Sequence, residues 1–581
     1  MSPEPVRFGS DVMVDLLAGQ GIRYVALNPG ASFRGLHDSL VNRAGAPEMI
    51  TVPHEKLAVN IAHGYAKASG EPMAAILHDT VGLLHGALGI FTAYVDRAPV
   101  IVLGGAGPMD TARRRPWIDW IHTSNIQGNA VRGFTKWDDQ PASVEAMPMA
   151  LARARAIALT EPAGPVYVAL DADLQEEPFA RAVPAVDWAR VGPGAPPGPE
   201  PRALADAADL LVGAERPVLV AGFAGRDPRA FTWIPELAEF VGAAVVDTND
   251  RLNLATTHPL NLTGLPVVDE ADVVVLLDCK DVSRVFLTTD PPAREARSRL
   301  ADGCRVVDIG FGERQTSAWV ADTGPLVEMD LRIAADTSVA LPLLIDLVRE
   351  RVAAERRGRA KARAERREQL GARHRALRTT WVANAHERAA DRPVAPPQLA
   401  AAIWPAIRDH DWVLTAGTAN DLALRLWDFD RPYRHAGRSQ GTATQIGISL
   451  GVALAHRDAG RLVVDIQPDG DLMFDPGALW VATASRIPML AVMFNNRAYY
   501  NDWEHQIRMA KQRGSDLSRA HIGVSIDHPP PDFATIARGF GWWAEGPIED
   551  PAAITDAVRR AAAVVLSEGR PALVDVVTAH R

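Results

Sequence analysis

Short apolar runs recur along this chain at intervals too wide for hairpins and separated by helical patterns, an alternation that few architectures satisfy. The first block, about residues 5 to 180, carries Tyr24-Val25-Ala26-Leu27, Ala74-Ala75-Ile76-Leu77, Val100-Ile101-Val102-Leu103 and Val166-Tyr167-Val168-Ala169. The second carries Pro217-Val218-Leu219-Val220-Ala221-Gly222, Ala243-Ala244-Val245-Val246-Asp247 and Asp272-Val273-Val274-Val275-Leu276-Leu277. The third carries Leu462-Val463-Val464 and Met489-Leu490-Ala491-Val492-Met493-Phe494. A strand apolar at every position is buried on both faces, the condition of a parallel sheet covered by helices. The expected fold is therefore α/β, with three doubly wound parallel-sheet domains.

Composition shifts suggest the boundaries. The Pro/Gly-rich stretch Gly192-Pro193-Gly194-Ala195-Pro196-Pro197-Gly198-Pro199 reads as a linker. The segment from Arg349 to about Arg378 is rich in Arg, Ala and Glu; Glu355, Glu365 and Glu368 interleave its cations, as in a solvated connecting helix rather than a nucleic-acid arm. This gives domains at 1–185, 200–350 and 396–581, with a helical linker at 351–395. Blocks one and three resemble each other in pattern, as expected of two related domains flanking a third.

At 581 residues, 47% apolar and 23% charged, the chain can bury several cores. Its net charge of −10 argues against nucleic acid as a partner. The two cysteines, Cys279 and Cys304, form no CxxC and suggest a reducing, cytoplasmic setting. The opening Met-Ser-Pro-Glu-Pro-Val-Arg-Phe shows no basic region followed by an apolar stretch, so no signal peptide is expected, and no run of 18 apolar residues predicts a membrane span.

The chemistry is most concentrated in Pro468-Asp469-Gly470-Asp471 and Phe494-Asn495-Asn496. Leu462–Val464 reads as a strand ending at the acidic turn, Pro476–Ser485 as a helix opened by Asp475, and Met489–Phe494 as the next parallel strand. Parallel neighbours end on one sheet edge, so Asp469 and Asn496 are expected to face one crevice. A carboxylate, an amide oxygen and a backbone carbonyl suit a hard divalent cation carrying phosphate oxygens. A second constellation, Val52-Pro53-His54-Glu55-Lys56-Leu57, places Glu55 at the start of an amphipathic helix.

With these two motifs the sequence resembles, over nearly its whole length, the thiamine diphosphate enzymes of the acetolactate synthase, benzoylformate decarboxylase and pyruvate decarboxylase group. That resemblance implies aminopyrimidine-binding, middle and diphosphate-binding domains. It also implies magnesium held by Asp469, Asn496 and the main-chain carbonyl of Ala498, with Gly417, Thr418, Gly470, Asp471 and Asn496 around the cofactor. Pro468 departs from the family's first glycine and must alter the turn slightly. Glu55 matches the residue that hydrogen-bonds the aminopyrimidine ring, where it stabilises the imino tautomer; a partly desolvated carboxyl suits that task. Thr415-Ala416-Gly417-Thr418-Ala419-Asn420 lies where the family brings amides to the diphosphate. The resemblance further implies a homo-oligomer, a dimer as the minimal active unit within a tetramer, since the family closes its site across a subunit interface.

Substrate-facing residues are also implied. Asn28-Pro29-Gly30-Ala31-Ser32 resembles the Asn-Pro-Gly-Ser loop of benzoylformate decarboxylase, with Ala31 in the serine position. Leu77-His78 matches that enzyme's Leu-His segment, making His78 a candidate for proton transfer. Asp502 falls at the position of the active-site glutamate of pyruvate decarboxylase, with Glu504 close by, and Arg508–Ser525 looks like a polar lid. Flavin is doubtful, because Asp278-Cys279-Lys280-Asp281-Val282-Ser283-Arg284 replaces the Arg-Phe-Asp-Asp-Arg segment of acetolactate synthases. Near Gln440-Gly441-Thr442-Ala443 the residue that would support the bent cofactor is Thr442 or Ala443, smaller than the family's usual Met, Ile or Leu.

The expected activity is decarboxylation of a 2-oxo acid, acyloin carboligation, or both. A 2-hydroxyacyl-CoA lyase ranks behind these, since little chain follows Leu573–Val577 to close over a CoA. A non-catalytic member of the fold is opposed by the joint presence of Glu55, Asp469 and Asn496. A nicotinamide oxidoreductase lacks a Gly-x-Gly-x-x-Gly between a first strand and helix.

Overall fold

The computed structural model describes residues 7–290, 295–312, 327–354, 357–415, 417, 419–438 and 441–580. Three parallel sheets follow one another along the chain. The first has the strand order Glu48–Thr51, Tyr24–Leu27, Met73–Leu77, Val100–Ala106, Val166–Asp171, Asp138–Asp139. The second runs Leu331–Ile333, Arg305–Ile309, Val273–Leu277, Pro217–Ala221, Ala244–Asp247. The third runs Trp412–Leu414, Leu462–Pro468, Leu490–Asn495, Ala572–Val577, Trp543–Ile548. An antiparallel pair, Leu287–Asp290 with Glu295–Ser298, is an addition that the apolar pattern does not announce, its strands being polar.

Side chains alternate across each strand, so the two faces of a sheet feed different cores. In the first sheet Val25, Leu27, Ile76, Ile101, Val166 and Val168 pack with the helix Gly9–Gly19 in one cluster. Tyr24, Ala26, Leu77, Val102 and Tyr167 face the opposite way, into a cluster that also contains Val463, Ala491, Met493 and Leu573 of the third sheet. The first and third blocks therefore share one core.

That shared core is organised by the helices Glu55–Ser69 and Gln445–His456. They approach through glycine: a Cβ at Gly64 would stand 2.0 Å from the Ile448 carbonyl oxygen, and one at Gly451 2.1 Å from that of Ile61. Only bare backbone allows such contact, which fixes the two helices in register.

The acidic turn departs from expectation in detail. The strand runs on to Pro468, whose φ of −65° is the value its ring prefers, and Asp469–Leu472 is a short helical turn. Proline is therefore accommodated as the last strand residue without distortion. The helix read as Pro476–Ser485 is Ala478–Ala484, and Asp475 does not cap it; its carboxylate reaches across to His54 and Lys56 instead. The Arg/Ala/Glu-rich segment contains a 31-residue helix, Arg357–Glu387. Among the described residues no helix is long and apolar enough to cross a membrane.

Candidate active site

Parallel pairing sets Pro468 beside Phe494, so Asp469 and Asn496 leave adjacent strands at one edge. Both are buried, and they converge on a single backbone group: the Ala498 N–H donates to Asn496 Oδ1 at 3.1 Å and to Asp469 Oδ2 at 3.3 Å. Asp469 Oδ1 accepts from the Gly470 N–H at 2.8 Å. Burial pushes the Asp469 carboxyl up to about 7, against the pull of these N–H donors. Among the described residues the bonds recorded for this carboxylate come from backbone N–H groups, and a buried carboxylate so placed could hold a divalent metal. Gly470 is required by packing, since a Cβ there would sit 2.8 Å from the Tyr499 ring.

These residues line a cavity of about 650 Å³ with Thr442, Asp471, Tyr500, Asn501 and Asp502, and with Arg388 and Arg425 also on its walls. Asp471 accepts from the backbone N–H groups of Ala443 at 2.7 Å and Gln445 at 3.2 Å, and so braces the turn at Ala443, whose φ is +64°. Gly417 packs tightly, its missing Cβ lying 2.7 Å from Gln445 Nε2. Thr418, Ala416 and Gln440 lie outside the described residues. Exposed Asp502 sits in the first turn of the helix Tyr500–Arg513, which occupies the first part of the stretch read as a polar lid. Val524 and Ser525 then return to pair with Tyr499 and Ala498.

Glu55 lies in a different environment. His54 caps its helix by accepting from the Leu57 N–H through Nδ1 at 3.4 Å. The Glu55 carboxylate accepts from Asn28 Nδ2 at 3.3 Å and pairs with His85 Nδ1 at 2.8 Å. A Cβ at Gly82 would stand 2.8 Å from both Glu55 Oε1 and the His78 Cβ, so the glutamate and the histidine are close neighbours around one small space. His78 Nδ1 lies 2.7 Å from Ser32 Oγ, so the residue after Ala31 supplies the loop's hydroxyl. Burial and nearby His122, whose ring centroid is 5.2 Å away, hold the His78 imidazole below its ordinary value and favour the neutral ring. Burial pushes neighbouring Asp79 up to about 7.

Asn28 and Ser32 belong to the loop read as substrate-facing, whereas His85 and His122 were not expected at this site. Each lies on a different element from its partner, and no local spacing signals such contacts. The segment compared with the flavin region is engaged elsewhere: buried Asp278 pairs with Arg97 at 2.6 Å and with Arg226 at 3.2 Å, and Cys279 is buried. The residues lining the 650 Å³ cavity are all numbered 388–502, so neither Glu55 nor His78 is among them.

Known proteins resemble this chain in sequence and fold. Residues 7–129 match the thiamine pyrophosphate enzyme N-terminal TPP-binding domain, and residues 415–576 match the corresponding C-terminal TPP-binding domain. A probable acetolactate synthase 2, chloroplastic, of Oryza sativa subsp. japonica is 26% identical over 617 residues, covering 100% of this chain and 84% of its own. A probable acetolactate synthase large subunit of Methanocaldococcus jannaschii is 24% identical, covering 98% of this chain and 91% of its own. Among solved structures, a thiamine diphosphate-dependent 4-hydroxybenzoylformate decarboxylase of Rhodococcus jostii RHA1 superposes with a TM-score of 0.77 at 19% identity, covering 99% of this chain and 100% of that one. The two matched domains hold the Glu55 turn and the Asp469–Asn496 crevice, and the chain belongs to the thiamine diphosphate-dependent enzyme family that includes the acetolactate synthases.

Proposed function

We propose that this protein uses thiamine diphosphate and Mg2+ to break and form carbon–carbon bonds, acting on a 2-oxo acid by decarboxylation, acyloin carboligation or both. The observation that carries the reading is the convergence of the Asp469 carboxylate and the Asn496 amide oxygen on one backbone amide in a buried crevice. With Ala498 they would hold the metal, and Gly417, Thr418, Gly470 and Asp471 would flank the diphosphate. Bound there, the cofactor supplies a nucleophilic carbon and an electron sink. Glu55 would hydrogen-bond the aminopyrimidine ring and hold or return a proton there. His78, kept neutral, is placed to move a proton to or from the substrate. Asp502 would serve the same chemistry from the rim of the metal cavity.

The minimal unit under this reading is a dimer, within a tetramer, because the Glu55 and Asp469 sites of one chain do not share a cavity. Exposed apolar side chains surround both: Val81, Leu84 and Leu88 beside Glu55 on the helix Thr80–Val95, Trp117, Trp120 and Ile121 in the segment that follows, and Met473 and Phe474 beside Asp469. Such surface is costly to leave in water and suits a second copy. Two free thiols suit a cytoplasmic setting.

Calorimetric titration of metal-stripped protein with thiamine diphosphate, with and without Mg2+, followed by a panel of 2-oxo acids, tests the proposal. Magnesium-dependent binding with carbon dioxide release is expected; binding without turnover on any 2-oxo acid would overturn the substrate class, and no binding would overturn the cofactor.

A further inference from the structure

One face of the helix Thr80–Val95 is cut away where it meets the helix that begins at Glu55. Gly82, Gly86 and Gly89 lie on that face at helical spacing. A Cβ at Gly82 would stand 2.8 Å from Glu55 Oε1, one at Gly86 3.6 Å from the Glu55 Cβ, and one at Gly89 2.9 Å from the Val59 Cβ. Gly82 thus keeps space for the Glu55 carboxylate, while Gly86 clears Leu77 and Gly89 clears Val59. The position between the first two glycines carries His85, whose Nδ1 lies 2.8 Å from Glu55 Oε2.

We propose that His85 is a positioning residue for Glu55: its Nδ1–H donates to Oε2, fixes the rotamer of the carboxylate, and leaves Oε1 turned toward the space beside Gly82 and His78. This rests on the reading of Glu55 as the group that meets the cofactor ring. Two features single out His85 among the histidines of the region. Its partner is buried, with 7% of the Glu55 side chain exposed, while 55% of the imidazole is exposed, so the ring connects a dry carboxylate to solvent. The imidazole also lies against the His54 ring, centroid to centroid 5.0 Å at 33°, and His54 is held from behind by Asp475 at 2.5 Å. The charged and titratable groups recorded against the pair are Glu55 itself, His78 across the space beside Gly82, His54 and, beyond it, Asp475 and Lys56. A hydrogen bond to an ionised acceptor is stronger and more directional than a neutral one, so it can hold a carboxylate that would otherwise choose between rotamers.

The test combines two substitutions with two readouts. His85→Asn keeps an N–H near the Nδ1 position and does not titrate; His85→Leu removes the donor. Thiamine diphosphate affinity at saturating Mg2+, followed by tryptophan fluorescence, is expected to fall about tenfold in His85→Leu and to recover in His85→Asn, the order expected for loss of a charge-assisted bond. Independently of cofactor, 15N-labelled histidine spectra of the apoprotein at one fixed pH, with the His85 signals assigned by their loss in His85→Asn, should show the Nδ1 resonance displaced in Glu55→Ala relative to wild type. Wild-type affinity in His85→Leu, equal losses in both variants, or an Nδ1 resonance unmoved by Glu55→Ala would each overturn the proposal. Failure of the wild-type protein to bind thiamine diphosphate would instead remove the proposed function, and the apoprotein spectra would still decide whether imidazole and carboxylate are bonded.

Discussion

Asp475 of the third block stands between the two residues that flank Glu55: its carboxylate lies 2.5 Å from His54 Nε2 and 2.8 Å from Lys56 Nζ. The turn that presents the catalytic candidate is thus clamped by the domain that carries the metal crevice in the same chain. Burial raises the Asp475 carboxyl, but the hydrogen bonds from His54 and Lys56 outweigh it and hold the group below its ordinary value.

Asp475→Ala is expected to leave two cationic or polar groups facing an apolar junction, with a loss of about 3 kcal/mol in urea unfolding. Because the folded pKa is depressed, the clamp's contribution is present above the unfolded value of about 4 and is lost as pH falls through the folded one. A stability profile in Asp475→Ala that parallels wild type below pH 5 would show that the clamp contributes nothing.

Asp465 gives the opposite sign. It is fully buried, accepts from Gln445 Nε2 at 2.8 Å, and desolvation pushes it up to about 7 against that bond and those from Ser449 and Thr415. Its folded pKa lies above the unfolded one, so the native state takes up a proton and stability falls as pH rises from about 4 to about 7, then levels off. Asp465→Asn should flatten this decline; thermal midpoints across that range would reveal it, and an unchanged slope would assign the decline to another group.

Gly64→Ala places a methyl group where the Ile448 carbonyl oxygen is 2.0 Å away. The two central helices must separate, at a cost of about 1–3 kcal/mol or more, the range for overpacking a tight core. Chemical denaturation of the variant should show this loss with little change in helical circular dichroism; a wild-type midpoint would mean that the interface yields freely.

Glu55→Gln keeps the size of the side chain and its contact with Asn28, but removes the ionisable proton. Turnover is expected to fall by about 10²–10⁴-fold with the folded spectrum intact, in the range of lost general acid–base catalysis. Wild-type turnover would exclude Glu55 from proton transfer.

Asp469→Ala should abolish magnesium-dependent binding of thiamine diphosphate while leaving the third sheet folded, since the side chain bonds only to backbone N–H groups nearby. Calorimetry decides the point, and magnesium dependence retained in the variant would place the metal elsewhere.

Much of this was legible because strand-end chemistry is local. Asp469 and Asn496 stand directly after strands apolar enough to be recognised, and parallel pairing forces their ends together. Glu55 is likewise the first residue of a helix whose periodicity is plain. The contacts of Glu55 were not legible: Asn28 follows the strand Tyr24–Leu27 while Gly82 and His85 lie on the helix Thr80–Val95, and only tertiary packing brings them to one carboxylate. Asp475 was read as a helix opener because a short polar residue before Pro476 fits that role; its actual partners sit more than 400 residues earlier.

The sequence by itself determined the α/β class, the parallel sheets and the strand-end placing of Asp469 and Asn496 on one edge, because burial on both strand faces and strand-end polarity are written residue by residue. Only the tertiary structure decided that the first and third blocks share a core through Gly64 and Gly451, that Asp475 clamps the Glu55 turn, and that Glu55 stands outside the cavity that Asp469 lines. Those outcomes depend on which helix faces meet, a property of close packing between distant segments that no local pattern encodes.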